Sequence, residues 1–263
     1  MKPTWRLILD PSASGSWNMS VDEALLLHCS EAGPALRLYT WEAPTLSLGY
    51  RQDANPWASR CRELGVGSVR RVSGGGAVLH GLDLTYSVVA PIPCPDLPAS
   101  LEESYRWIRS VLLRGLERAG MRAAPARPMP GAAGLPVCFA GSLGVEIELE
   151  GRKLVGSAQR RMPEGLLQHG SIRLGNDSEL YRSIFGRSVA PPPAASALHA
   201  PASVLRRMVE TFFDELGGRL KPGVLTLAER TTASSRADLR RAAPLLAPEL
   251  FSSSPISTAD TSA

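Results

Sequence analysis

Lys153 is the residue whose chemical type stands out first. The 263-residue sequence carries 29 lysines and arginines, yet only Lys2, Lys153 and Lys221 are lysines. Where a plain positive charge suffices, this chain uses arginine. A lysine kept at such a position fits a site that needs a compact amine able to lose its proton, which a guanidinium cannot do. The competing reading is a surface lysine with no role. Lys153 opens the run Lys153-Leu154-Val155-Gly156-Ser157-Ala158-Gln159-Arg160-Arg161, with Cys138 upstream and Gln168-His169-Gly170-Ser171 downstream. The four cysteines are Cys29, Cys61, Cys94 and Cys138. None forms a CxxC pair and no histidine stands at metal-ligand spacing, so no metal centre is expected. In a reducing compartment they are free thiols. Most free thiols are small buried hydrophobes, which leaves room for one or two with chemistry.

A second cluster is Ser73-Gly74-Gly75-Gly76-Ala77-Val78-Leu79-His80, preceded by Arg70-Arg71. Three glycines in a row let the backbone take positive φ and let a ligand approach its N–H groups. The run lacks the Gly-Lys-Ser/Thr ending of a phosphate-binding P-loop and the GxGxxG spacing of a dinucleotide site. A plain flexible turn fits it equally well. Arg71 could meet an anionic group, and His80 is either a site residue or a strand-end histidine bonded to backbone.

The elements that must position these residues follow from pattern. Trp5 to Leu9, Ala35 to Trp41, Thr45 to Tyr50, Ser68 to Arg71, Asp83 to Ala90, Leu143 to Leu149, Lys153 to Gln159 and Gly165 to Leu174 read as strands. Thr45 to Tyr50 is expected to return on Ala35 to Trp41 after Pro44, and Glu150-Gly151 to form a tight turn. Ser20 to Glu23 reads as a capping box opening a first helix, in which His28 sits on the helix face, and Ser100 to Glu103 as another. Asn55-Pro56 starts a short helix ending at Gly65. The helix after Ser100 stops at Gly120. Residues 121–136 read as a long loop leading to Cys138. Asp177 to Phe185 is a short helix. Pro191 to Pro193 marks a boundary, followed by an amphipathic helix through Val204, Met208, Phe212 and Leu216 and a weaker helical stretch to about Leu246. The expected division is a catalytic domain over 1–190, a helical segment over 191–250 packed on it, and a disordered Ser/Thr-rich tail over 251–263. The fold class is α+β, a mostly antiparallel mixed sheet with helices packed on it.

Three separated motifs carry a resemblance. Arg70 to His80, Lys153 to Arg161 and Leu167 to Ser171, with Asn18-Met19 and Asp22 to Leu26 in the first helix, resemble the biotin/lipoate A/B protein ligase family over roughly residues 5–245. The resemblance implies a class II synthetase/biotin-lipoate ligase-like fold, with a lipoyl or octanoyl chain in a channel beside the glycine loop. Family ATP-dependent ligases carry an Asp-x-Gly-Asn-type stretch after the histidine; here it reads His80-Gly81-Leu82-Asp83. With Val137-Cys138-Phe139, this is similar to the cysteine-dependent octanoyltransferases of the LipM type. The activity so implied is transfer of octanoyl from octanoyl-acyl carrier protein to a lysine of a lipoyl domain, such as a glycine cleavage H protein, with Cys138 and Lys153 catalytic. The implied substrate-binding residues are Arg71, Ser73, Gly74, Gly75, Gly76, His80, Gly156, Ser157, Ala158, Gln159 and His169. No cofactor is implied. An ATP-dependent lipoate ligase, and an amidotransferase moving octanoyl between lipoyl domains, are the alternatives. The chemistry agrees: one thioester replaces another at little net cost, and only a few per cent of a thiol of ordinary pKa is thiolate at neutral pH. A nearby ammonium raises that fraction, and the same amine, once neutral, can accept a proton from the acceptor lysine. Cys94, flanked by prolines, is the rival nucleophile. The oxyanion donors are backbone N–H groups of the glycine loop or of the Cys138 segment.

Bulk properties exclude some classes. No apolar run approaches the roughly 18–20 residues that span a bilayer, and the first ten residues have no signal-peptide core, so a cytoplasmic protein without membrane partners is expected. The formal net charge is +4. The arginines are scattered without interleaved aromatics, which argues against nucleic acid. A basic rim could attract an acidic protein partner.

Overall fold

The computed structural model describes residues 1–53, 55–132, 134–141, 144–193 and 200–242. The expected tail 251–263, the end of the last helical stretch beyond 242, and Leu143 lie outside the described residues. Two strands at the start, β1 (Trp5–Leu9) and β2 (Ala35–Tyr39), run parallel, connected by α1 (Gly15–Ala32). The alternation read in β2 holds, but both of its faces are buried. Leu36 and Leu38 join one core and Ala35 the opposite one. Arg37 and Tyr39, facing α1, are satisfied there by Asp22.

The first helix begins earlier than the motif at Ser20 suggests. Its cap is Ser14, whose side chain accepts from the Trp17 N–H. Ser20, Asp22 and Glu23 lie inside the helix and are buried. Ser20 Oγ donates to the Ser16 carbonyl, and Asp22 and Glu23 accept from Arg37 and Arg240. A cap and a buried polar cluster use the same residue types, because both need short oxygen-bearing side chains. His28 lies on the helix face, bonded to Thr232 at 2.8 Å.

Thr45 to Tyr50 does not return on β2. As β3 (Thr45–Leu48) it builds a separate three-stranded sheet, parallel to β4 (Gly67–Arg70) and antiparallel to β5 (Val78–His80). The helix α2 (Asn55–Glu63) connects β3 to β4. Then β6 (Asp83–Ala90), buried throughout, enters the main sheet beside β2. The Ser100 capping box is present: Ser100 Oγ accepts from Glu103 N–H at 3.2 Å and donates to Glu103 Oε2 at 2.7 Å, opening α3 (Leu101–Arg118).

Residues 121–136 are less irregular than expected. They contain β7 (Ala123–Pro125), three residues that pair with β8 (Ile147–Leu149) and are too short to show periodicity. From β8 the chain turns at Glu150 (φ 52°) and Gly151 (φ 71°), the doubly positive pair of a tight hairpin. Long antiparallel strands follow, β9 (Arg152–Met162) and β10 (Gly165–Arg173), then α4 (Ser178–Phe185).

The C-terminal segment is not only helical. Between α5 (Pro201–Glu215) and α6 (Leu227–Ala242) runs β11 (Leu220–Pro222), which joins the edge of the main sheet parallel to β1. That sheet has the order β11-β1-β2-β6-β10-β9-β8-β7, parallel over its first two pairings and antiparallel over the other five. One face packs on α3 and α5 through Ile108, Leu112, Leu116, Met208 and Phe212. The other packs on α1 and α6 through Val21, Leu25 and Ala233. Among the described residues, no helix is long and apolar enough to cross a membrane.

Candidate active site

The glycine loop after β4 is held by its own arginine. Arg71 is buried; its guanidinium donates to the carbonyls of Gly74 (2.6 Å), Gly76 (2.9 Å) and Ser47 (3.1 Å). These bonds spend the side chain on fixing the loop, although it also borders the cavity described below. The segment carrying Cys138 then zips onto that loop. Ala77 N–H donates to the Pro136 carbonyl at 2.8 Å and Cys138 N–H to the Ala77 carbonyl at 3.0 Å. Gly76 must be glycine for this approach: a Cβ there would stand 2.7 Å from Cys138 N and 2.8 Å from Leu135 O.

Lys153 enters from the start of β9 with its amine buried. Nζ lies 2.9 Å from the Cys138 carbonyl, 3.2 Å from the Gly141 carbonyl and 3.5 Å from Cys138 Sγ. Its fourth neighbour is Glu146 Oε1 at 2.9 Å, a carboxylate as buried as the lysine. Sequence reasoning missed Glu146. It sits in an irregular stretch before β8, and nothing in its spacing links it to Lys153. Opposite the pair, Gly156 leaves room: a Cβ there would lie 3.1 Å from Cys138 Sγ.

The other cysteines are unsuited to nucleophilic work. Burial pushes the Cys29 thiol up to about 11 and also raises Cys61 and Cys94. Each of the three is buried, whereas Cys138 is only half-buried. The rival Cys94 is packed in the main core beside Leu97, away from the glycine loop.

Cys138 opens onto a narrow, mostly apolar cavity of about 40 Å³. Of the residues expected from sequence, it brings together Arg71, Gly75, His80, Cys138, Gly156, Ser157, Ala158 and His169. Met19, Tyr39, Val78 and Thr85 were not foreseen; they come from four different elements. Ser73, Gly74, Gly76 and Gln159 are not part of the lining. Gln159 bonds to Ser104 and Gln168, bracing β9 against β10 and α3.

Two hydrogen-bonded chains stiffen the walls. His169 bridges Ser73 Oγ (2.5 Å) and Asp22 Oδ2 (2.8 Å). Burial pushes the Asp22 carboxyl up, but the bond from His169 and the Arg37 charge outweigh it, and the carboxyl lies below its ordinary value. On the other side, His80 bridges Ser47 Oγ (2.9 Å) and Asp83 Oδ2 (2.8 Å) and stacks on Trp41 with ring centroids 3.9 Å apart. Burial lowers the His80 pKa, so the ring is neutral, its Nδ1–H donating to Asp83 and its Nε2 accepting from Ser47. Asp83 stays ionised because it also accepts from Gly81 N–H, Thr85 and Ser171. Among the described residues, no group of three or more His, Cys, Asp or Glu side chains could hold a metal ion.

The chain is similar to known proteins over most of its length. The Lipoyl protein ligase A/B catalytic domain family matches residues 14–229. The octanoyltransferase LipM of Kyrpidia tusciae is 40% identical over 256 residues, covering 88% of this chain and 93% of that protein. The octanoyltransferase LipM of Bacillus subtilis is 38% identical over 198 residues, 70% of either chain. Two solved structures share the fold at 20% identity. The bi-partite lipoate protein ligase of Thermoplasma acidophilum has a TM-score of 0.75, covering 90% of this chain and 92% of that one. A lipoate-protein ligase A bound with ATP has a TM-score of 0.70, with coverage of 90% and 95%.

Proposed function

The chain belongs to the Lipoyl protein ligase A/B catalytic domain family, and from that premise we propose how it works. It is an octanoyltransferase of protein lipoylation, with lipoyl domains as acceptors. The donor is octanoyl-acyl carrier protein, and the octanoyl group rests on Cys138 between donor and acceptor. The observation that carries this reading is the 3.5 Å approach of Lys153 Nζ to Cys138 Sγ, with Cys138 opening onto an apolar cavity.

The steps follow from those two groups. The cycle starts from a Cys138 thiolate paired with the Lys153 ammonium, whose Nζ lies 3.5 Å from Sγ. The thiolate attacks the donor thioester carbonyl; the new C–S bond forms as the bond to the carrier sulfur breaks. Lys153 gives its proton to the departing carrier thiolate and becomes neutral. The acceptor lysine then attacks the Cys138 thioester, its excess proton passes to Lys153, and Cys138 leaves as thiolate. The ammonium–thiolate pair is thereby restored, and no outside oxidant, reductant or nucleotide is consumed. Arginine could not take part, because it does not give up its proton.

The cavity receives the alkyl tail. At about 0.8 kcal/mol per buried methylene, an octanoyl chain gains on the order of 5 kcal/mol from burial. Gly75 borders the cavity, and its N–H meets no acceptor among the described residues, which suits it to receive the oxyanion.

An ATP-free assay tests the reading. The enzyme is incubated with octanoyl-acyl carrier protein and a lipoyl domain, and octanoylated domain is measured by mass. Transfer without nucleotide that is lost in Cys138→Ala supports it. Transfer that requires ATP and survives Cys138→Ala assigns the chain to the ligases instead. Transfer from an octanoylated lipoyl domain but never from the carrier makes it an amidotransferase.

A further inference from the structure

A second concavity is lined in part by Arg152, the strand neighbour of Lys153, and is strongly basic. It is an open groove of about 440 Å³ bordered by Arg152, Arg182 and Arg187, with Asn176, Ser178 and the Pro191–Pro193 run completing it. Among the described residues, no carboxylate lines it. Arg182 and Arg187 are exposed and form no ion pair or side-chain hydrogen bond among the described residues. Arg6, Arg37, Arg173, Arg219 and Arg240, by contrast, pair with carboxylates. Arg152 donates only to a backbone carbonyl, that of Pro191. Three guanidinium groups with no counter-charge between them repel one another, and an anion seated among them relieves that repulsion.

Position ties the groove to the chemistry. Arg152 immediately precedes Lys153 on β9, and adjacent strand residues point to opposite faces. Lys153 is buried toward Cys138 and Arg152 is exposed toward the groove. Arg182 lies on α4, whose other side packs Tyr181, Ile184 and Phe185 against Val137, the neighbour of Cys138.

We propose that this groove docks the acyl donor, with Arg152, Arg182 and Arg187 receiving the phosphate of its pantetheine arm and the acidic surface of its carrier. The inference rests on the reading that the donor is octanoyl-acyl carrier protein. Guanidinium groups match phosphate oxygens in a bidentate fork, and Asn176 and Ser178 add neutral donors. The acceptor's lysine side chain carries no phosphate, so the phosphate contact is what distinguishes the donor.

The test compares the wild type with Arg182→Glu/Arg187→Glu, both checked for equal thermal stability, using the same lipoyl domain and two donors. One donor is octanoyl-acyl carrier protein; the other is octanoyl-pantetheine, which has neither phosphate nor carrier. The expected result is a KM for the carrier-borne donor raised about tenfold or more at low salt. Wild-type KM for that donor should climb with salt while the variant's stays flat. Turnover of octanoyl-pantetheine and KM for the lipoyl domain should not change. An unchanged carrier KM in the variant overturns the groove assignment, as does a loss shared equally with octanoyl-pantetheine or falling on the lipoyl domain. A wild type that transfers from octanoyl-pantetheine and ignores the carrier overturns the donor reading itself, and the groove proposal with it.

Discussion

The proposed chemistry asks that one amine be held in place and also change its protonation state. Lys153 Nζ has four polar neighbours and is almost enclosed. Lys153→Arg keeps the charge but cannot cycle the proton, so the octanoyl transfer rate should fall at least about 100-fold. Single-turnover assays check this, and near-normal turnover in that variant would contradict the role given to the lysine. Glu146 anchors the amine from the other side. Removing one partner of a buried ion pair costs about 3–5 kcal/mol, so Glu146→Ala should lower stability by about that much in urea unfolding and depress transfer as well. At this scale the sequence was informative about Lys153, because a rare residue type marked it. Cys138 came from family resemblance, since its thiol has no distinguishing spacing. Glu146 was not legible, because the contact to Lys153 depends on how the irregular segment before β8 folds back.

Elements bring these groups together by pressing one loop on another. The glycine loop and the Cys138 segment are joined through Ala77, and Gly76 permits the contact. Gly76→Ala would drive a methyl group into backbone, costing about 1–3 kcal/mol or displacing Cys138. Acyl-enzyme formation should then fall more than secondary structure does, as read by mass spectrometry beside circular dichroism. The strand β6 was legible because it is rich in β-branched and aromatic residues. The start of α1 was not, because Ser20, Asp22 and Glu23 imitate a cap while serving buried bonds to other elements. Nor was the departure of β3 into its own sheet, since Pro44 signals a break in the chain without stating where it goes next.

The whole molecule depends on its last described segment. Val204, Met208, Phe212 and Leu216 of the 191–242 region are fully buried in the main core, and Leu220 carries the edge strand. A chain ending at residue 190 should therefore fail to fold, as dispersed amide proton signals would reveal if it did. This dependence was only partly legible, because a three-residue strand has no period to read. Stability should also fall on acidification, in two stages. The folded state holds His80 below its ordinary value of 6.5, so below that pH the unfolded chain binds a proton that the fold refuses. Stability then declines from about pH 7 toward pH 5. Asp22 and Asp83 lie below their ordinary value of 3.8; their contributions are intact above it and are lost as pH falls further. Urea midpoints across this range check the order, and His80→Gln should flatten the first stage.

The most direct test of the account is to trap the intermediate. The enzyme is mixed with octanoyl-acyl carrier protein without acceptor, quenched in acid and mapped by peptide mass. The account predicts one octanoyl group on the peptide containing Cys138, released by hydroxylamine and discharged when a lipoyl domain is added. An octanoyl group found on another residue, or full transfer by an enzyme whose Cys138 is never acylated, would contradict it.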